Sequence, residues 1–180
     1  SGDARMIDLY SVPTPDGWKV SIALEELRIP YAVHPMEACS GERLAPEFMR
    51  VSACACSPTI VDHDAAGFSV SDAGPVLVYL AERSGQLMPS DAIGRSRVMQ
   101  WLMLPVDAAD AAKTGDAKAA RAEMLRLFAL FDHHLRGADY LAGTFSIADI
   151  AHWAWMRMHA WSDVDMHRFN ALARWLQRVA

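Results

Sequence analysis

Up to about residue 85 of this 180-residue chain, short alternating runs trade places with helical ones; beyond residue 91 the alternation stops. Met6 to Tyr10 sets Ile7 and Leu9 on either side of Asp8, a short strand pattern. From Gly17 to Arg28, Val20, Ala23, Leu24 and Leu27 recur at helical spacing until Pro30 closes the run. Tyr31 to Glu37 reads as a second strand, GERLAPEFMRVS as an irregular helical segment, Thr59 to Asp64 as a third strand, and FSVS, after the turn AAG, as a fourth. A helix from Ala73 to Ser84 ends on Gly85, a residue suited to a left-handed cap. The order is βαβαββα over residues 6–85. Residues 86–91 (QLMPSD) read as a linker, and 92–180 as an all-helical domain with periodic segments at 92–112, 117–136, 146–159 and 168–179. Ser146 and Asp149 in SIADI lay out a capping box, with aspartate in place of the usual glutamate, for a helix that turns Ile147, Ile150 and Trp153 inward. The five residues ahead of Met6 are excluded from the fold reading.

Composition narrows the function. At 52% hydrophobic and 22% charged the chain can build one large or two small cores. A net charge of −5 with no block of lysine or arginine leaves no electrostatic footprint for a nucleic-acid backbone or an anionic membrane surface. Apolar stretches such as GPVLVYLA fall far short of the roughly 20 residues of a membrane span, and no signal-peptide pattern is present, so a cytoplasmic address is expected. Three cysteines, an odd number, make no disulfide framework and suit a reducing compartment.

The corner SVPTPDGWKV, Ser11 to Val20, places Thr14 and several unpaired backbone N–H groups at the start of the first helix, where partial positive charge gathers. By composition alone Thr14 is equally a solvent-facing residue of a proline-stiffened loop. Asp16, just before GWKV, suits a helix N-cap that turns its carboxylate away from the corner; the other arrangement points it inward. Pro58 can simply begin a strand, and Asp72 can simply cap the third helix.

A βαβαββα unit followed by helices, with YLAGTFSIADIAHWAW near the end, resembles the glutathione transferase superfamily. MIDLYSVPTPDGWKVSIALEEL, SPTIVD and DAGPVLVYLAERSGQLMP resemble the three glutathione-site segments of its thioredoxin-like domain, most like the bacterial Nu-class branch; RSRVMQWLM and SIADI resemble landmarks of its helical domain. The resemblance implies a thioredoxin-like N-terminal domain and an all-α C-terminal one, glutathione as co-substrate, a homodimer and no metal. It implies that the Thr14 hydroxyl points at the glutathione sulfur, that Ser57-Pro58 is a cis peptide whose Ser57 backbone pairs with the ligand, and that the γ-glutamyl end sits on Asp72 and Ala73. It also implies that Gln100 reaches a neighbouring subunit's ligand, although an ordinary exposed helix residue fits as well, and that Trp18, Trp101 and Leu104 line an acceptor pocket, although each fits a core position too. Three positions depart from the family pattern: Asp16 stands where asparagine donates to the sulfur, Cys56 where a lysine meets the glycine carboxylate, and Ala73 where a serine is common. The hairpin of residues 92–136 is shorter than the family's.

Other constellations are set aside. His133 and His134 point apart on a helix, and His152 and His159 lack an H-E-x-x-H pattern. Cys54 and Cys56 are not C-x-x-C, so a redox dithiol is not expected, while reactive loop thiols remain open for them and Cys39. Trp153, Trp155, Trp161 and Trp175 read as helical packing. The expected activity is transfer or exchange of the glutathione thiol on a small electrophile; the alternatives are glutathione-dependent cleavage of disulfide or ether bonds and a non-catalytic binding or scaffold protein.

Overall fold

Ile7 and Leu9 anchor an inner strand of a four-stranded sheet. In this computed structural model, which describes residues 6–37, 45–105, 117–158 and 164–180, strand β1 (Ile7–Ser11) runs parallel to β2 (Tyr31–Pro35), with Leu9 opposite Val33. It runs antiparallel to β3 (Thr59–Asp62), with Leu9 opposite Ile60, and β4 (Phe68–Ser71) completes the order β2-β1-β3-β4. A parallel pair cannot be joined by a tight hairpin, and α1 (Pro15–Glu26) supplies the crossover. Every residue of β3 is buried, as an interior strand covered on both faces must be.

Ile7, Leu9 and Ile60 are buried with Val20 and Leu24 of α1 and Val76, Leu77 and Leu80 of α3 (Ala73–Ser84), each side chain contributing about 1.5–3 kcal/mol by leaving water. Phe48 of the short helix α2 (Pro46–Val51) forms a second cluster with Val12 and Met36, flanked by Tyr10 and Val51. Gly85 closes α3 at φ 67, the left-handed cap its position predicts. The third strand stops at Asp62, two residues short of the sequence expectation. The cause is local: Asp62 Oδ1 accepts from the N–H groups of Asp64 and Ala65 and turns the chain off the ladder.

The chain divides into two units, residues 1–90 and 91–180. The second is helical: α4 (Ala92–Leu102), α5 (Ala117–Leu135), α6 (Ile147–Met156) and α7 (Asn170–Val179), with a 3-10 turn at Met166–Arg168. Its core holds Val98, Leu127, Phe128, Phe131, Ile147, Ile150, Leu172 and Trp175. The helix expected over 92–112 ends at Leu102, because Pro105 disfavours helical geometry in the residue before it; residues 106–116 of the hairpin expected over 92–136 lie outside the described residues. The capping box at the start of α6 is present. Asp149 is wholly buried and accepts from the Ser146 N–H, the Leu141 N–H and Trp175 Nε1. Burial pushes its carboxyl up against those donors. Among the described residues no helix is long and apolar enough to cross a membrane.

Candidate functional site

The corner after β1 is built from the residues that make it look elaborate in the sequence. Val12 is buried, the Thr14 N–H donates to the Val12 carbonyl at 2.8 Å, and Pro15 takes the first helical position, where a missing N–H costs nothing. Thr14 is the N-cap: its Oγ1 accepts the Gly17 N–H at 3.5 Å and its carbonyl the Trp18 N–H at 3.0 Å. The Thr14 hydroxyl accepts with a lone pair and keeps its hydrogen to donate elsewhere. The Asp16 N–H, in the first turn, takes no partner among the described residues.

Asp16 is not the cap its position before GWKV suggests. Pro15 lets the helix begin two residues earlier than expected, so the cap falls on Thr14. Asp16 is left on the outer side of the first turn, with its side chain 55% exposed and its carboxylate 2.6 Å from Lys19 Nζ. Its charge is directed to a cation on its own helix. Gly17 is fixed by close approach, since a side-chain carbon there would collide with Ser11 Oγ and the Val12 carbonyl.

A second segment meets this corner. The Ser57-Pro58 peptide is cis, and Ser57 Oγ accepts the N–H of Val12 at 3.3 Å, tying the loop before β3 to the corner after β1. No residue among those described takes the N–H or C=O of Ser57. The loop is held from behind by hydroxyls. Buried Ser52 Oγ accepts the Cys56 N–H at 3.1 Å, buried Thr59 Oγ1 donates to the Cys56 carbonyl at 2.7 Å, and Ser71 Oγ lies 3.0 Å from the first and 2.8 Å from the second. These three residues, the C-cap of α2 and an end residue each of β3 and β4, carry no signal in the sequence beyond being small and polar.

Cys54 and Cys56 are joined in a disulfide, which corrects the expectation that the cysteines are unpaired. In a regular strand two such residues stand too far apart. Ala55 between them adopts φ 52, in the left-handed region, and draws their Cα atoms to 5.2 Å, within the range a disulfide spans. Cys56 therefore offers a ligand neither a free thiol nor a free backbone group.

The opening of α3 lies beside the same loop, the Asp72 N–H donating to the Pro58 carbonyl at 2.9 Å. Asp72 caps α3 at φ 76, an outlier for a residue with a side chain, and its Oδ1 accepts the Ala73 N–H at 2.8 Å. The Ala73 N–H is thus taken by the Asp72 carboxylate. Asp72 Oδ2 has no partner among the described residues. Tyr79, raised to about 12 by burial and by its bond to Asp62, stays protonated and donates to that carboxylate at 2.7 Å, while Arg83 Nε lies 3.0 Å from it. Together they lock α3 to β3.

Residues 95–180 match the family model of the glutathione S-transferase C-terminal domain. The disulfide-bond oxidoreductase YfcG of Escherichia coli is 31% identical over 193 residues, covering 97% of this chain and 90% of that protein. The chain belongs to the glutathione S-transferase superfamily. Another relative, the disulfide-bond oxidoreductase YghU of E. coli, is 30% identical over 96% of this chain and 70% of its own length. A crystal structure of a glutathione transferase family member from Pseudomonas fluorescens, with two glutathione bound, superposes with a TM-score of 0.83 at 30% identity over 99% of this chain and 89% of that one. The thioredoxin-like unit followed by a helical unit is thus the glutathione transferase fold, and the corner, the cis-proline loop and the opening of α3 are three adjoining parts of its first unit.

Of the remaining expected residues, Trp18 lies on α1 one turn after Thr14, and Gln100, Trp101 and Leu104 belong to the second unit. Gln100 belongs to the second unit and donates to the Ser96 carbonyl of its own helix at 3.2 Å. Trp101 packs against Phe131, His134 and His152, and with Gln100, Arg97, Tyr140 and Leu141 lines a groove of about 330 Å³. Leu104, half-buried, lies just past the end of α4, while Trp18 is on α1 in the first unit. His152 is a core histidine bonded to the Trp101 carbonyl at 2.7 Å; Trp175 is buried and its indole N–H donates to Asp149, while half-buried Trp153 donates to the Leu176 carbonyl, each at 2.9 Å. Cys39, His159 and Trp161 lie outside the described residues.

Proposed function

We propose that this glutathione S-transferase superfamily member is an enzyme that binds glutathione across the corner, the Ser57 loop and the opening of α3, and uses its thiolate on an electrophilic sulfur. The observation that carries the reading is the Val12 N–H to Ser57 Oγ bond: it holds a capping hydroxyl with a spare hydrogen next to a backbone segment whose N–H and C=O are unclaimed. A peptide ligand pairs with Ser57 as an added strand, which sets its sulfur towards Thr14. Asp72 Oδ2 receives the ligand's ammonium group. A free thiol ionises near 8.5; lowering that by about two units takes roughly 2.7 kcal/mol, which a hydroxyl donor and the N-terminus of a twelve-residue helix together supply.

Two relatives named as disulfide-bond oxidoreductases, at 31% and 30% identity, favour a disulfide as the electrophile over a carbon centre. In that reaction the glutathione thiolate attacks one sulfur of the substrate, the other leaves as a thiol, and a second glutathione resolves the mixed disulfide. The test is the ultraviolet absorbance of the bound thiolate against pH. Thr14→Ala should raise the apparent pKa of bound glutathione by about one unit and lower turnover of a small disulfide about tenfold, with Thr14→Ser near wild type. An unchanged spectrum in Thr14→Ala removes Thr14 from the chemistry, and absence of glutathione binding at millimolar concentration removes the reading. Turnover of an aryl halide without turnover of a disulfide returns the enzyme to carbon electrophiles.

A further inference from the structure

We propose that Cys54 and Cys56 are a redox-active pair, a thiol–disulfide exchange site in the loop before β3 that glutathione reduces and glutathione disulfide reoxidises. The choice of glutathione as the exchanging thiol rests on the function proposed above and on the pair's place beside Ser57; the pair itself rests on three observations of its own.

The two sulfurs are bonded to each other, and Cys54 is exposed while Cys56 is half-buried, so a thiol in solution can approach. The bond links residues two apart, closing almost no chain, and the restraint it places on the unfolded state is at the bottom of the range for disulfides. It is not a staple. The loop's shape is set without it: the Cys56 N–H and carbonyl are held by Ser52 and Thr59, and the Ala55 N–H donates to the Ser52 carbonyl at 3.1 Å. Opening the bond therefore leaves the loop in place and the sulfurs within reach of each other, which is what a reversible pair requires. Finally, Cys56 directly precedes Ser57, so the pair stands on the rim of the glutathione cradle.

The exchange balances with two glutathione molecules. A glutathione thiolate attacks Cys56 Sγ; the S–S bond breaks and its electron pair goes to Cys54 Sγ, which lies 3.9 Å from the Ser52 hydroxyl. A second glutathione thiolate attacks the glutathione sulfur of the mixed disulfide, releasing Cys56 as thiolate and glutathione disulfide as product. The protons of the two glutathione thiols end on Cys54 and Cys56, and the protein pair gains two electrons.

The experiment uses the full chain carrying Cys39→Ser, so that the pair provides its only cysteines. The protein is equilibrated in buffers spanning the ratio of glutathione to glutathione disulfide, quenched with acid, alkylated and weighed. The expected result is a reversible titration, reached from either side, in which the ratio of reduced to disulfide pair follows the square of glutathione over glutathione disulfide and mixed disulfide appears in transit. A pair that stays in one state at every ratio, or that opens and does not close again, overturns the proposal. Calorimetry with S-hexylglutathione, which has no free thiol, reports on the cradle alone. An inert pair in a protein that binds S-hexylglutathione overturns this inference and spares the proposed function; a titrating pair in a protein that does not bind it upholds the pair and overturns the function.

Discussion

Thr14 and Asp16 divide between them two roles that the sequence leaves open. Because Thr14 caps the helix, Asp16 is freed to pair with Lys19 in solvent, where an ion pair at this spacing is worth only a few tenths of a kcal/mol. At about 5 Å in a low effective dielectric a carboxylate repels a thiolate by roughly 3 kcal/mol, and turned to bulk water by less than about 1 kcal/mol. Asp16→Asn should therefore change turnover by less than about threefold, measured as kcat/KM for a small disulfide; a rise of a hundredfold would mean that the carboxylate faces the sulfur. Gly17 allows α1 to approach the end of β1, and its would-be neighbour includes a backbone carbonyl, which cannot swing aside. Gly17→Ala should destabilise the protein by about 1–3 kcal/mol, read from the urea midpoint, despite the better helix propensity of alanine.

At the scale of elements, two aspartates of the second unit close helix starts, Asp132 from 39 residues away and Asp149 from within the first turn of its own helix. α7 opens on Phe169, which has no capping side chain. Asp132, at the end of α5, supplies the cap instead: its Oδ1 accepts from the Ala171 and Leu172 N–H groups at 2.8 and 3.2 Å, and its Oδ2 from Arg136. Burial works to raise this carboxyl, but the two backbone donors and Arg136 outweigh it and hold it below its ordinary value of 3.8. A carboxyl with a depressed folded-state pKa stabilises the fold fully above its unfolded value, and that stability is lost as pH falls through the folded value. Asp132→Asn should cost about 1–3 kcal/mol at pH 7, and the gap to wild type should narrow as pH falls below about 4, measured by denaturant unfolding across that range. A gap that stays constant with pH would mean the charge contributes nothing. Such a cap is invisible to local reading, because its donor and acceptor lie 39 residues apart. The box of Ser146 and Asp149, three residues apart, was legible for the opposite reason. The end of α4 is a local feature too: hydrophobic period alone carries the helix on to residue 112, and Pro105 is what stops it.

For the molecule as a whole, the change of period near residue 90 is the change of architecture: a mixed sheet with its helices, then helices alone. The net charge of −5 is a property of the entire surface, and with no basic block it offers phosphate backbones nothing to release counterions against. The protein should pass through a polyanion column at about 50 mM salt without retention; binding that a few hundred millimolar salt reverses would contradict this. By itself the sequence determined the order of elements, the cap on Gly85, the proline-marked loop and the position of Thr14 at a helix start, because propensity, proline geometry and hydrophobic period act over a few residues. Tertiary structure decided that the Asp16 carboxylate turns to Lys19, that Ser52, Thr59 and Ser71 brace one loop, and that Cys54 and Cys56 share a bond. Each of those depends on where a side chain points once distant strands have paired, and direction in space is what a one-dimensional pattern does not carry.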